Sequence, residues 1–176
     1  AYLLWSEGSP PPDPLAPGTG PEIEVLHIAK PGEPGSTVKL QRILKSEADW
    51  RRQLRAGEYL VTRTGATEPA FSGGYWRTKE PGLYRCVACG LALFDSESKF
   101  ESGTGWPSFR GPVALGNVAL REDRSLGIAR VEVLCARCDS HLGHVFNDGP
   151  APEGKRYCMN SLALRLFLWA AGWTIA

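Results

Sequence analysis

Two C-x-x-C pairs constrain this chain more than any other feature. Cys86-Val87-Ala88-Cys89 and Cys135-Ala136-Arg137-Cys138 each place two residues between thiols. That spacing lets both sulfurs of a pair face one metal ion across a tight turn. Gly90 follows the first pair, where a turn needs positive φ or a close backbone approach. Four thiolates saturate a tetrahedral ion and leave no open position, so the expected metal is structural. We expect one zinc on Cys86, Cys89, Cys135 and Cys138. Redox-active C-x-x-C motifs are one alternative, but those open helices in βαβ units, and here strand-like sequence surrounds them. Two disulfides, or thiols that merely pack, are another.

The chain has five cysteines, an odd count. Disulfide frameworks favour even counts, so the pattern reads as a metal site plus one leftover thiol, Cys158. The 176 residues fit one domain with appendages, and 43% are hydrophobic, enough for a core. A net charge of +1 gives no electrostatic reason to expect nucleic acid or an anionic membrane as partner. No stretch reaches the roughly 18 apolar residues of a membrane span.

Residues 1–35 hold 8 of the 14 prolines and read as an extended arm or linker. Within them, residues 22–28 are a candidate short strand. A domain is expected over 36–165, and a hydrophobic tail over 166–176 that packs on the domain or on a neighbour. The opening Ala1-Tyr2-Leu3-Leu4-Trp5 lacks a Met. With the Pro-rich arm, it leans toward an exported or membrane-anchored protein. Ser46-Glu47-Ala48-Asp49 resembles a capping box and predicts a helix start, with Gly57 as its stop. Pro69, Gly73 and Gly74 make 67–76 irregular. From Tyr84 onward, apolar runs and turns alternate. Glu122 to Ser125 reads as a turn, 129–133 as a strand, and about 157–166 as the last strand. The expected fold is mostly β, antiparallel, with a short N-terminal helix.

Arg156-Tyr157-Cys158-Met159-Asn160 alternates on a strand, so Arg156, Cys158 and Asn160 share one face. A cation beside a thiol lowers its pKa and makes it a better nucleophile. A buried, inert cysteine is the competing reading. His141, His144 and Asp148 lie just after the second knuckle and form a possible proton-transfer set. His-x-x-His can also chelate a metal. Trp106 beside Pro107 can form an apolar wall for a small group, or simply pack in a core. Met159 reads as core.

Together these segments resemble the B-type methionine-R-sulfoxide reductases. The motifs that carry the likeness are 67–73, Tyr84 to Gly90, Leu93 to Asp95, Lys99 to Gly103, Gly105-Trp106-Pro107-Ser108-Phe109, Cys135 to Cys138, His141 to Pro150 and Arg156 to Ser161. They span roughly 46–165 in the family's order. The resemblance implies a zinc-containing fold of two antiparallel sheets. It also implies reduction of the R epimer of methionine sulfoxide in oxidised proteins. It makes Cys158 the nucleophile and His144 with His141 the groups that help protonate the sulfoxide oxygen. Asp148, Arg156 and Asn160 organise the site, and Trp106 and Phe109 bind substrate.

One position departs from the family pattern. Many members carry a resolving cysteine where this chain has Thr104. With four cysteines committed to zinc, regeneration falls to an external thiol such as thioredoxin. We expect a monomer without nucleic-acid partners. The rival from another class is a non-catalytic, zinc-stapled binding module on the same scaffold. A thiol-disulfide oxidoreductase is a third reading, but its dithiol is absent once zinc takes its ligands.

Overall fold

The computed structural model describes residues 12–30 and 32–169. The opening residues 1–5 and the tail residues 170–176 lie outside the described residues. The expected helix start holds. Ser46 caps α1 (Glu47–Gln53), and Ser46 and Asp49 form the reciprocal capping box. Trp50 and Leu54 are buried beneath it. The expected stop does not hold. Leu54 turns extended at the helix end, and a second helix, α2 (Ala56–Thr64), contains Gly57. The Glu58 carboxylate accepts the Arg55 N–H at the start of α2, which begins a new helix one residue beyond the break. Gly65 is the true stop, with φ 74° in the left-handed region.

Among the described residues, eleven strands follow the expected antiparallel plan, but in three sheets rather than two. Strands β1 (Glu22–His27) and β2 (Ser36–Gln41) form a small two-stranded sheet. So β1, within the expected arm, pairs with a strand of the expected domain. Asn117 fastens this sheet to the body. Its amide accepts from the Leu26 N–H and donates to the carbonyls of Leu26 and Ala92, each at 2.8 Å.

The next strands in chain order are β3 (Gly82–Cys86), β4 (Ala92–Asp95), β5 (Lys99–Phe100) and β6 (Ser108–Phe109). Then come β7 (Val118–Asp123), β8 (Arg130–Cys135), β9 (His141–Phe146), β10 (Arg156–Met159) and β11 (Leu164–Leu168). The six-stranded sheet runs β5-β6-β10-β9-β8-β7, and the three-stranded one β11-β3-β4. An aromatic core joins the two. Phe94 of β4 stacks on Phe109 of β6 at 4.5 Å, and Tyr84 of β3 meets Phe109 edge-on at 5.0 Å. Met159 is fully buried in this core, as expected.

The single last strand expected over 157–166 is two strands in different sheets, β10 and β11. The break is made by side chains. The Glu68 carboxylate accepts the Ser161 and Leu162 N–H groups at 2.7 and 3.0 Å, removing donors a continuing strand would use. β11 also runs to Leu168, past the expected boundary at 165, because Leu166 to Leu168 pair with Tyr84, Leu83 and Gly82. The turn expected at Glu122 to Ser125 lies slightly later. β7 continues to Asp123, whose carboxylate accepts the Ser125 N–H at 2.9 Å and starts the turn.

Candidate active site and metal centre

The two knuckles fold alike. The Gly90 N–H bonds to the Cys86 carbonyl at 2.9 Å, and the Asp139 N–H to the Cys135 carbonyl at 3.0 Å. The residue after each second cysteine is left-handed, Gly90 at φ 75° and Asp139 at φ 56°. The four sulfurs, all buried, lie within 4.8 Å of one another. Cys86 and Cys138 sulfurs stand 3.6 Å apart, and those of Cys89 and Cys135 3.5 Å. A disulfide needs about 2.05 Å. A tetrahedral ion with bonds of about 2.3 Å spaces its sulfurs at roughly this distance. The four cysteines are therefore placed to hold one metal ion.

Two buried arginines flank the knuckles. Arg137, within the second, is fully buried and donates to the carbonyls of Pro14 (2.7 Å) and Ala16. Arg85, just before Cys86, donates to the carbonyls of Gly90 (3.1 Å) and Ile28. Both contact carbonyls rather than carboxylates. Four thiolates on a divalent ion carry a net charge of −2, which offsets such buried cations.

Cys158 lies in the middle of the six-stranded sheet, on β10. It pairs directly with Ser108 of β6 on one side and His144 of β9 on the other. His144 in turn faces Glu132 of β8, and Glu132 faces Arg121 of β7. Directly paired residues share a sheet face, so these five side chains form one row. Gly143 keeps β9 close to this row, because a Cβ there would collide with the Cys158 carbonyl.

Burial pushes the Cys158 thiol up, against the opposing pull of the Arg156 charge and of hydrogen bonds from Thr104 and Arg156. The sequence expectation that Arg156 would win is corrected here, because desolvation of the thiolate is the larger effect. Arg156 is held by a two-point bond to Asp148, 2.9 Å at each nitrogen, and lies 4.5 Å over the Phe146 ring. On the other side of Cys158, the hydroxyls of Thr104, Ser102 and Ser108 form a chain with 2.8 and 2.7 Å links.

Both histidines hold carboxylates. His141 Nδ1 lies 2.7 Å from Glu132 Oε1, and His144 Nε2 lies 2.8 Å from Asp123 Oδ2. The rings are 5.4 Å apart. Burial pushes the His144 imidazole down, with Asp123 opposing that shift. Hydrogen bonds from Ser125 first, then from His144, hold the Asp123 carboxyl far below the usual carboxylate range. A cavity of about 340 Å³ opens beside the pair, lined by Arg63, Asp123, Arg130 and Glu132 as well as both histidines.

Sequence reasoning missed Asp123 and Glu132. Asp123 reads as a turn residue, and Glu132 as the outward position of an alternating strand. The alternation does not hold, since Val131 is exposed and the strand is buried without a break from Glu132 to Cys135. A carboxylate between two valines was the available signal.

Two expected site residues have other work. Asn160 is 2% exposed, and its amide oxygen and nitrogen are each hydrogen-bonded to backbone. It accepts the Glu68 N–H at 2.9 Å and donates to the Leu142 carbonyl at 3.1 Å, so it positions the 67–73 loop. Phe109 is not available to substrate. It pairs with Tyr157, faces away from Cys158 and is fully buried against Phe94. Trp106 is half-buried, with its indole N–H bonded to the Glu68 carbonyl at 3.0 Å. Beside it stands Phe71, 56% exposed and left-handed at φ 65°. The Phe71 N–H is tied to the Gly105 carbonyl at 2.8 Å.

The SelR domain family matches residues 54–167. Among curated relatives, the peptide methionine sulfoxide reductase MsrB of Methanosarcina barkeri is 55% identical over 120 residues, covering 68% of this chain and 84% of the relative. The MsrB of Acinetobacter baylyi is 50% identical over 125 residues, 71% of this chain and 90% of the relative. The chloroplastic peptide methionine sulfoxide reductase B1 of Oryza sativa subsp. japonica is 53% identical over 122 residues, 69% of this chain and 56% of the relative. The chain belongs to the B-type methionine sulfoxide reductases. It is thus an oxidoreductase on the mostly β scaffold of that family. The four-sulfur site, the histidine pair and Cys158 all fall inside the family match, whereas β1, β2 and the Pro-rich segment fall outside it. The B-type reductase domain therefore meets this added segment at its metal site, where Arg137 and Arg85 grip the added backbone.

Proposed function

We propose that this reductase returns methionine-R-sulfoxide in oxidised proteins to methionine through Cys158. The observation that carries the reading is the direct pairing of Cys158 with His144 on adjacent strands. Burial keeps the resting thiol protonated and the imidazole neutral. One proton is thus shared between a nucleophile and a neighbouring base. When the sulfoxide binds, His144 takes the thiol proton and passes it to the sulfoxide oxygen as the Cys158 sulfur attacks. The S–O bond of the substrate breaks, methionine leaves, and the oxygen stays on Cys158 as a sulfenic acid. No other proton or electron source is needed for this half of the cycle.

His141, fixed by Glu132, supports the same proton movement. Arg156, held by Asp148, stabilises the thiolate as it forms. Trp106 and the exposed Phe71 supply the apolar wall that receives the substrate methyl and selects one epimer. Asn160 holds the loop that carries Phe71.

The four buried cysteines hold one zinc, which is structural because no coordination position remains open. That leaves Cys158 as the single thiol outside the metal site. Thr104 contacts Cys158 but cannot form a disulfide. An external thiol, thioredoxin or a smaller one, therefore attacks the sulfenic acid directly. A mixed disulfide forms with loss of water, and a second external thiol releases Cys158.

The test is NADPH-coupled turnover with separate R and S methionine sulfoxide epimers and several thiol donors. The reading expects turnover of the R epimer alone. No turnover of either epimer with any donor would favour the zinc-stapled binding module.

A further inference from the structure

We infer that Asp123 is a positioning residue for the reductase reaction, fixing the ring tautomer of His144 that accepts the Cys158 proton. This rests on the reading of His144 as the proton carrier.

Asp123 stands at the end of β7, two strands from β9, yet its Oδ2 reaches His144 Nε2 at 2.8 Å. The same oxygen accepts from Arg130 at 2.6 Å, while Oδ1 holds the Ser125 N–H at 2.9 Å. Three donors on one carboxylate keep it ionised. An ionised carboxylate only accepts, so the proton of neutral His144 is held on Nε2. Nδ1 is then the nitrogen with a free lone pair, the state a proton carrier needs. The neighbouring histidine is set the opposite way, with Nδ1 on Glu132 and Glu132 held by Arg121 at 2.8 Å. Each ring thus has its own carboxylate and each carboxylate its own arginine.

Other charged groups face His144. Cys158 and Arg156 lie on β10, and Glu132 and Arg130 on β8. His141 shares its strand, Arg121 lies on β7, and Arg63 of α2 lines the adjoining cavity. Among them, Arg130 and His141 lower the His144 pKa and Asp123 raises it. The Asp123 effect is therefore separable by sign from that of its own arginine.

Asp123→Asn is the informative change. It is isosteric and keeps the Ser125 turn bond. Its amide can donate to Nε2 and push the ring proton onto Nδ1, which blocks the carrier. We expect kcat for the R epimer to fall about tenfold or more, with KM within about threefold. The acid limb of kcat/KM should move to lower pH, because a group that raised the His144 pKa is gone. In Arg130→Gln the same limb should move to higher pH, because a group that lowered it is gone. His144→Ala should itself lose about a hundredfold. In that background Asp123→Asn should cost no further rate, since no ring remains to orient. An equal loss in both backgrounds, or an unmoved acid limb in Asp123→Asn and Arg130→Gln alike, overturns the inference and leaves the His144 reading standing. Full activity of His144→Ala overturns both.

Discussion

Cys158 and His144 sit directly across from each other on neighbouring strands, with Gly143 allowing the two backbones their close approach. The pairing puts a thiol whose pKa burial raises and an imidazole whose pKa burial lowers on one sheet face, and the proposed proton transfer between them makes a prediction about pH.

The active state of such a pair carries one proton in total. A second proton arrives at low pH on His144, and the last leaves at high pH from Cys158. Burial lowers the His144 pKa, so the acid limb of kcat/KM should lie below about 6.5, the ordinary histidine value. Burial raises the Cys158 pKa, so the alkaline limb should lie above about 8.5, the ordinary thiol value. A pH profile between about 4.5 and 10.5 reads both. A narrow bell centred between those ordinary values would contradict the assignment.

Arg156 opposes the burial of the thiol. Arg156→Met should move the alkaline limb to higher pH and lower kcat/KM at neutral pH by about tenfold, one pKa unit of lost stabilisation. Asp148→Asn should move it the opposite way and by less, to lower pH, because the Asp148 charge that raises the Cys158 pKa is gone while Arg156 keeps its own charge. An alkaline limb unmoved by Arg156→Met would show that the guanidinium does not act on the thiol.

Trp106 and Phe109 lie three residues apart and should behave oppositely. Trp106→Ala should raise KM for the R epimer at least tenfold with a modest change in stability. Phe109→Ala should cost about 3–5 kcal/mol of stability through the cavity it leaves, with KM of the folded fraction unchanged. Steady-state kinetics alongside denaturant melts separates the two. A raised KM in a fully folded Phe109→Ala would put Phe109 back in the binding site.

These contrasts show which features the sequence makes legible. The Ser46–Asp49 capping box was readable because it lies within four residues. The knuckles were readable because their spacing is local and chemically specific. Phe109 was misplaced because sheet parity decides it. Ser108 pairs with Cys158, so the next residue must face the core, and that register depends on strands far apart in sequence. The break after Met159 comes from Glu68, a contact spanning 93 residues to Ser161. Asp123 and Glu132 reach the histidines only once β7, β8 and β9 lie side by side. Local patterns announced the cysteines and histidines, and long-range register chose their partners.

The metal centre makes a stability prediction. Elemental analysis should give one zinc per chain, and its removal by a strong chelator should abolish the cooperative melt, since structural zinc binding is folding free energy of about 10 kcal/mol or more. Arg137→Met should speed zinc loss to a chelator several-fold, because it frees the Pro14 and Ala16 carbonyls that lie on the second knuckle. Metal-free protein with an unchanged melt would refute a structural zinc.

Thr104 lies within hydrogen-bonding reach of Cys158 and carries a hydroxyl, not a thiol. The central claim is that this enzyme works with one reactive cysteine. It is tested most directly by mass spectrometry of the intact protein after a single turnover without reductant, with the thiols then trapped. The account predicts a gain of one oxygen on Cys158, captured by a sulfenic-acid reagent, with Cys86, Cys89, Cys135 and Cys138 unchanged. An intramolecular disulfide between Cys158 and any of those four would contradict it.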